Sequence, residues 1–215
     1  MMAGMSTSID IAFIGGGNMA TAIIGGLLRQ GTAPASILVI DPVPEQRQRL
    51  TDTLGVQTAA GPDDALRTDD IARLLGTPRI VRAMPNTPAL VGQGMTGLFA
   101  RAEVSADERA AIEGMVSSTG AHLWVAQEAD LDAVTALSGS GPSYVFYFIE
   151  AMMQAAQDMG LSAEQGRLLA QATFAGSTAL AQQSDVSPAV LRERVTSKGG
   201  TTYAALTQLE SSGVK

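Results

Sequence analysis

Ile11-Ala12-Phe13-Ile14-Gly15-Gly16-Gly17-Asn18-Met19-Ala20 decides how the rest of the 215-residue chain is read. An apolar run suited to a buried strand passes into a turn that fits G-x-G-x-x-A, and the turn opens the helical stretch Met19 to Leu28. Gly15 permits the tight turn, Gly17 lets the backbone approach a pyrophosphate, and Ala20 allows close packing of helix on strand. The helix start offers unpaired N–H groups and a partial positive charge to phosphates. Asp41 stands about 20 residues beyond Ala20, at the end of the next apolar run, where an acidic side chain can accept hydrogen bonds from a ribose diol. Gly15, Gly17, Asn18, Met19 and Asp41 are therefore the candidate dinucleotide-binding residues. The alternative reading of the same residues is a glycine-rich strand–helix turn without a ligand.

Outward from this stretch, short β-rich runs alternate with helical segments: Ile9 to Ile14, Ile37 to Asp41, Arg79 to Ala83, Thr96 to Ala100 and His122 to Val125. Such alternation predicts an α/β fold with a Rossmann-type parallel sheet. From about Ala129 onward the pattern turns helical, as in Leu168, Leu169, Ala172, Ala175, Ala179 and Leu180, which fall on one side of a helix. The predicted division is a dinucleotide-binding domain over 1–126 and an all-helical domain over 127–215. Within the latter, Tyr144-Val-Phe-Tyr-Phe-Ile149 is apolar all round and is expected to be buried on every side. With about 85 residues in that domain, burying such a helix requires a partner subunit.

Composition narrows the function classes. The formal charge of −7 argues against a phosphate-neutralising surface, so nucleic acid is not expected as a partner. The chain has no cysteine, which removes disulfides, thiolate ligands and cysteine nucleophiles together. His122 is the only histidine, so no metal site is predicted. Met1 to Ser8 lacks the basic and long apolar regions of a signal peptide. The run Tyr144 to Ile149 is far shorter than the roughly 18 apolar residues that suggest a membrane span. The expectation is a cytoplasmic protein.

Further motifs carry candidate chemistry. Met84-Pro85-Asn86-Thr87-Pro88 follows a predicted strand, and in doubly wound sheets ligands lie beyond the carboxyl ends of strands. Asn86 offers a donor and an acceptor there, although a rigid turn accounts for the same residues. Ser138-Gly139-Ser140-Gly141-Pro142 lacks the first glycine of G-x-S-x-G and has no strand before it, so a helix start is preferred to a serine nucleophile. Val195-Thr196-Ser197-Lys198-Gly199-Gly200-Thr201-Thr202 leads into Tyr203, Leu206 and Leu209 at helical spacing. Its consecutive backbone N–H groups and hydroxyls suit a carboxylate or phosphate; a capped helix with a flexible lead-in is the alternative.

Together these pieces resemble pyrroline-5-carboxylate reductase, the family of the last step of proline synthesis. The resemblance rests on Ile11 to Ala20, Val81 to Pro88, Ala136 to Tyr144 and above all Leu191 to Glu210. It implies a Rossmann domain, a helical domain that interlocks with a second subunit, and often a ring of dimers. It implies hydride transfer from NADH or NADPH to the C=N carbon of 1-pyrroline-5-carboxylate, giving L-proline. A cyclic imine is itself basic and reacts as its iminium, so no histidine or cysteine acid is needed. On that resemblance, Gly200, Thr201 and Thr202 bind the substrate carboxylate through their N–H groups, with Ser197 a further candidate for the substrate pocket. Thr202 is the catalytic residue, its hydroxyl beside the ring nitrogen. Asn86 and Pro88 line the nicotinamide pocket.

Asp41 sets a carboxylate where NADPH carries its 2′-phosphate, while Arg47 and Arg49 compensate in part, so the expectation leans to NADH. The family carries two further strands before the one preceding Met84, the first ending in an Ala-Val-Lys-Pro-like motif. Here nothing between Gly61 and Pro78 reads as a strand, so the sheet is expected to be short of central strands and nucleotide binding to be weak. The family also usually adds a helical segment beyond the position of Lys215. Competing expectations are a dinucleotide-binding or assembly protein without turnover, and a related imine or 2-hydroxyacid reductase. The hydroxyacid branch uses a helix lysine as acid, whereas the lysines here are Lys198 and Lys215.

Overall fold

The computed structural model describes residues 11–61 and 67–214, apart from the side chains of Leu74 and Leu75. The readings of Met1 to Ser8, of the first strand's start at Ile9, and of Lys215 lie outside the described residues. The chain divides after Tyr144 into two compact units.

The first unit opens with β1 (Ile11–Ile14), α1 (Asn18–Arg29), β2 (Ile37–Ile40), α2 (Pro44–Leu54) and β3 (Gln57–Ala59). The three strands form one parallel sheet in the order β1-β2-β3, with Ile11 opposite Ile37 and Leu38 opposite Gln57. Periodicity puts Ala20, Ile23, Ile24 and Leu27 on the sheet-facing side of α1, where they join Ile37, Val39, Leu50 and Val56 in the core. Each large side chain of this cluster contributes about 1.5–3 kcal/mol on burial. Pro44 suits the first turn of α2, and Gly55 ends that helix at φ +68°. β3 escapes a pattern-based reading because its three residues show no periodicity.

α3 (Thr68–Leu75) follows, then β4 (Val81–Met84), β5 (Gly94–Ala100), α4 (Ala106–Ser117) and β6 (Gly120–Trp124), then α5 (Asp130–Val134) and a π-helical turn at Thr135–Gly139. β4, β5 and β6 make a second sheet in that order. β5 and β6 are parallel, but β4 and β5 are antiparallel, which departs from the expected parallel pattern. The link from Met84 to Gly94 holds one short 3₁₀ segment, Thr87–Val91, and falls below the dozen or so residues a parallel crossover needs.

Among the described residues no strand lies between β3 and β4, and β1 pairs with β2 alone. This matches the expected shortage of central strands. α3 follows β3 in sequence, and its Thr68 donates from its N–H and hydroxyl to the two carboxylate oxygens of Glu128 at 3.0 and 2.9 Å, while Arg82 donates to Glu128 at 3.1 Å.

α4 begins with a capping box in which Ser105 N–H reaches Glu108 at 2.9 Å and Glu108 N–H reaches the Ser105 hydroxyl at 3.3 Å. The hydrogen bonds from Ser105, with Arg79 alongside, hold the Glu108 carboxyl below the usual carboxylate range. His122 sits on β6, as expected, 3.9 Å from the Glu113 carboxylate. Trp124 donates its indole N–H to Glu113 at 2.6 Å, and the Arg109 guanidinium lies 4.9 Å from the centre of its ring system.

α6 (Gly141–Asp158) runs across the division, and α7 (Ala163–Gln182), α8 (Pro188–Arg194) and α9 (Thr201–Ser211) complete the second unit. Ser162 and Ser187 cap α7 and α8 through their hydroxyls. α6 and α7 meet through small residues: a Cβ on Gly166 would lie 3.0 Å from that of Ala156 and 3.2 Å from the Met153 carbonyl. The helix expected to be buried on every side is not covered by the described residues, since Phe146 is 57% and Tyr147 70% exposed. No helix among the described residues is long and apolar enough to cross a membrane.

Candidate functional site

The glycine turn has the geometry that its sequence demands. Gly15 adopts φ +90°, open to glycine at little cost, and its N–H donates to the Ile40 carbonyl at 2.8 Å, tying the turn to β2. Gly16 is buried, and a Cβ there would lie 2.6 Å from Leu50 Cδ1, 3.1 Å from Asp41 Oδ2 and 3.3 Å from Val39 Cγ1. Gly17 is exposed, and a Cβ on it would meet no atom within 4 Å. Gly17 is also the N-cap of α1 and brings no side-chain cap, so the first turn, with Asn18 and Met19, keeps N–H groups free of intrahelical partners. Room at Gly17 together with a helix start fits a pyrophosphate.

Asp41 directly follows β2, at the strand end where it is expected. It is 7% exposed, and the oxygens assigned to a ribose diol accept backbone N–H groups: Oδ2 from Gly16 at 2.7 Å and Oδ1 from Val43 at 2.8 Å. α2 adds two contacts, with Arg47 donating to the Asp41 carbonyl at 2.7 Å and Gln46 donating its side-chain amide to the Gly16 carbonyl. Sequence reasoning missed Gln46, because a glutamine on an exposed helix start carries no signal of a long-range bond.

Asn86 joins two motifs of the first unit. Its amide nitrogen donates to the Ser138 hydroxyl at 3.1 Å and carbonyl at 3.3 Å, and its oxygen accepts from Met95 N–H at 2.9 Å. These bonds link the Met84–Pro88 loop to the π-helical turn, a conformation frequent at functional sites. Pro88 is the second residue of the 3₁₀ segment that Asn86 precedes. Ser138 lies in the π turn rather than after a strand, and Pro142 sits in the first turn of α6.

In the second unit, Gly199 adopts φ +73° and Gly200 is the N-cap of α9, again with no side-chain cap. The Gly200 N–H closes a turn onto the Ser197 carbonyl at 3.0 Å. Thr201 and Thr202, the first residues of α9, have no carbonyl four residues back within the helix to receive their N–H groups. Ser197 is exposed and Thr202 half-buried.

Comparison with known proteins decides the family. A pyrroline-5-carboxylate reductase from Pseudomonas aeruginosa is 38% identical, in an alignment taking in 94% of this chain and 89% of the relative. The chain belongs to the pyrroline-5-carboxylate reductase family. Residues 128–215 match the family model for pyrroline-5-carboxylate reductase dimerisation, and residues 10–87 match that described as NADP oxidoreductase coenzyme F420-dependent. A solved pyrroline-5-carboxylate reductase from Coxiella burnetii is 34% identical with TM-score 0.77, over 97% of this chain and 92% of that one. A pyrroline carboxylate reductase from Plasmodium falciparum, solved with NADP bound, is 25% identical with TM-score 0.74, over 95% and 91%. The alignment to the Pseudomonas protein runs over 243 positions, more than the 215 residues of this chain, so the relative has stretches without counterpart here.

Proposed function

We propose that the chain reduces 1-pyrroline-5-carboxylate to L-proline with NADH or NADPH, acting as a homodimer or a ring of dimers. The observation that carries this reading is the relationship to pyrroline-5-carboxylate reductases across nearly the whole chain. The open cradle at Gly17 and the free first turn of α1 support a nicotinamide nucleotide at Gly15, Gly17, Asn18 and Met19, with Asn86 and Pro88 lining its nicotinamide end. The bound dihydronicotinamide supplies the hydride. Thr201 and Thr202 N–H groups orient the substrate carboxylate, and the Thr202 hydroxyl holds or donates a proton at the ring nitrogen. Positioning and electrostatics then carry the catalysis. The exposed aromatic run of α6 supports association with a second copy, because its burial needs a surface this chain does not supply.

The assay is consumption of NADH or NADPH with the cyclic imine, compared with pyrroline lacking the carboxylate. Turnover is expected with the former alone; equal turnover with both overturns the carboxylate role of the α9 start. Thr202→Ala is expected to lower kcat more than cofactor affinity.

A second reading, a nucleotide-binding or assembly protein without turnover, is favoured by the single pairing of β1. An absent neighbour leaves one flank of the cleft open to water, where weak binding and slow turnover are expected. A rate equal to that of the Pseudomonas aeruginosa relative eliminates this reading.

A further inference from the structure

On the reading that the Gly15–Ala20 turn binds the nicotinamide nucleotide, we propose that Gln46 and Asp41 are positioning residues that aim the Gly17 N–H at the pyrophosphate, and that Asp41 does not select between NADH and NADPH. The argument starts from the peptide joining Gly16 to Gly17. In a planar trans peptide the carbonyl and the N–H point in opposite directions. Gln46 on α2 donates to the Gly16 carbonyl, which draws that oxygen toward α2 and turns the Gly17 N–H away from it. A ligand has room at Gly17, where even a Cβ would meet nothing within 4 Å.

The preceding peptide is held as firmly. Gly16 N–H donates to Asp41 Oδ2 at 2.7 Å, and the fully buried Leu50 closes the space where a side chain on Gly16 would stand. Two consecutive peptides are thus fixed by three side chains, all from the strand end and helix that follow α1. The second Asp41 oxygen is engaged by Val43 N–H, and the residue is 7% exposed. Arg47, donating to the Asp41 carbonyl at 2.7 Å, holds the backbone at the same strand end. A carboxylate held inward in this way braces the turn for either nucleotide.

The test is fluorescence titration of NADH and of NADPH onto the full chain. Gln46→Met keeps the bulk and removes the donor; Kd is expected to rise about tenfold for both nucleotides, the scale of one lost hydrogen bond. Asp41→Asn is expected to raise both Kd values by a common factor and to speed deuterium exchange at the Gly16 amide, with the thermal midpoint showing that the variant is folded. Unchanged affinity in Gln46→Met overturns the role of Gln46. Opposite shifts in Asp41→Asn, weaker for NADH and tighter for NADPH, overturn the role of Asp41 and restore it to the ribose. Wild-type protein that binds neither nucleotide overturns the underlying reading and this proposal together.

Discussion

The first unit hides Ile24, Ile37, Leu50, Leu98 and Leu131 completely, whereas the helices of the second bury only Ala156, Gly166 and Ala170 and leave Phe146, Tyr147 and Leu168 more than half exposed. One region is built around a core of its own large side chains. The other packs its helices on alanine and glycine and turns its aromatic residues outward. The difference teaches that the two draw stability from different sources: intrachain burial in the first, and in the second the proposed homodimer.

The largest expected effect breaks the comparison at its exposed side. Phe146→Asp or Phe148→Asp sets a charge in a surface whose large residues are each worth about 1.5–3 kcal/mol when covered, and should give aggregates or unfolded protein in sedimentation. A stable monomer that stays in solution would show that the second unit needs no partner.

Next comes the contrast between the two glycine turns. Gly16→Ala forces a methyl against buried Leu50 and should cost about 1–3 kcal/mol while abolishing nucleotide binding. Gly199→Ala meets no atom within 4 Å and carries only the left-handed backbone penalty of about 1–2 kcal/mol, so nucleotide affinity should be retained. Calorimetric melting and nucleotide titration separate the pair; similar loss of affinity in both would erase the distinction.

The smallest effect sharpens the account of the first unit. Ser105→Ala removes the α4 cap and should cost about 1 kcal/mol. The depressed Glu108 carboxyl contributes stability that is present above the unfolded-state carboxyl range and is lost as pH falls through its lower folded value. Glu108→Gln should therefore flatten the acid side of the thermal midpoint against pH. An unchanged acid limb would remove Glu108 from that account.

What the sequence made legible follows from how local each signal is. The strand, turn and helix from Ile11 to Ala20 announce themselves because each of Gly15, Gly17 and Ala20 answers a backbone need within a few residues. Small strand β3 was missed, since Gln57-Thr58-Ala59 is defined by pairing with β2 and not by its own pattern. The antiparallel pairing of β4 with β5 is not carried by the apolar runs themselves but by the short link between Met84 and Gly94. Asp41 was recognised as special, but its direction depends on Gly16 and Val43 N–H groups that only folding brings within reach.

Trp124 is the chain's single tryptophan, and it lies in β6 of the first unit with its ring under Arg109 and its indole N–H on Glu113. The molecule therefore carries one intrinsic optical label, confined to one of its two regions. Its emission on denaturation reports the unravelling of α4 against β6, while the far-ultraviolet ellipticity is weighted by the long helices α6 and α7. Recorded together in one titration, an ellipticity loss without a matching emission change marks unfolding away from Trp124, with no dye or engineered residue.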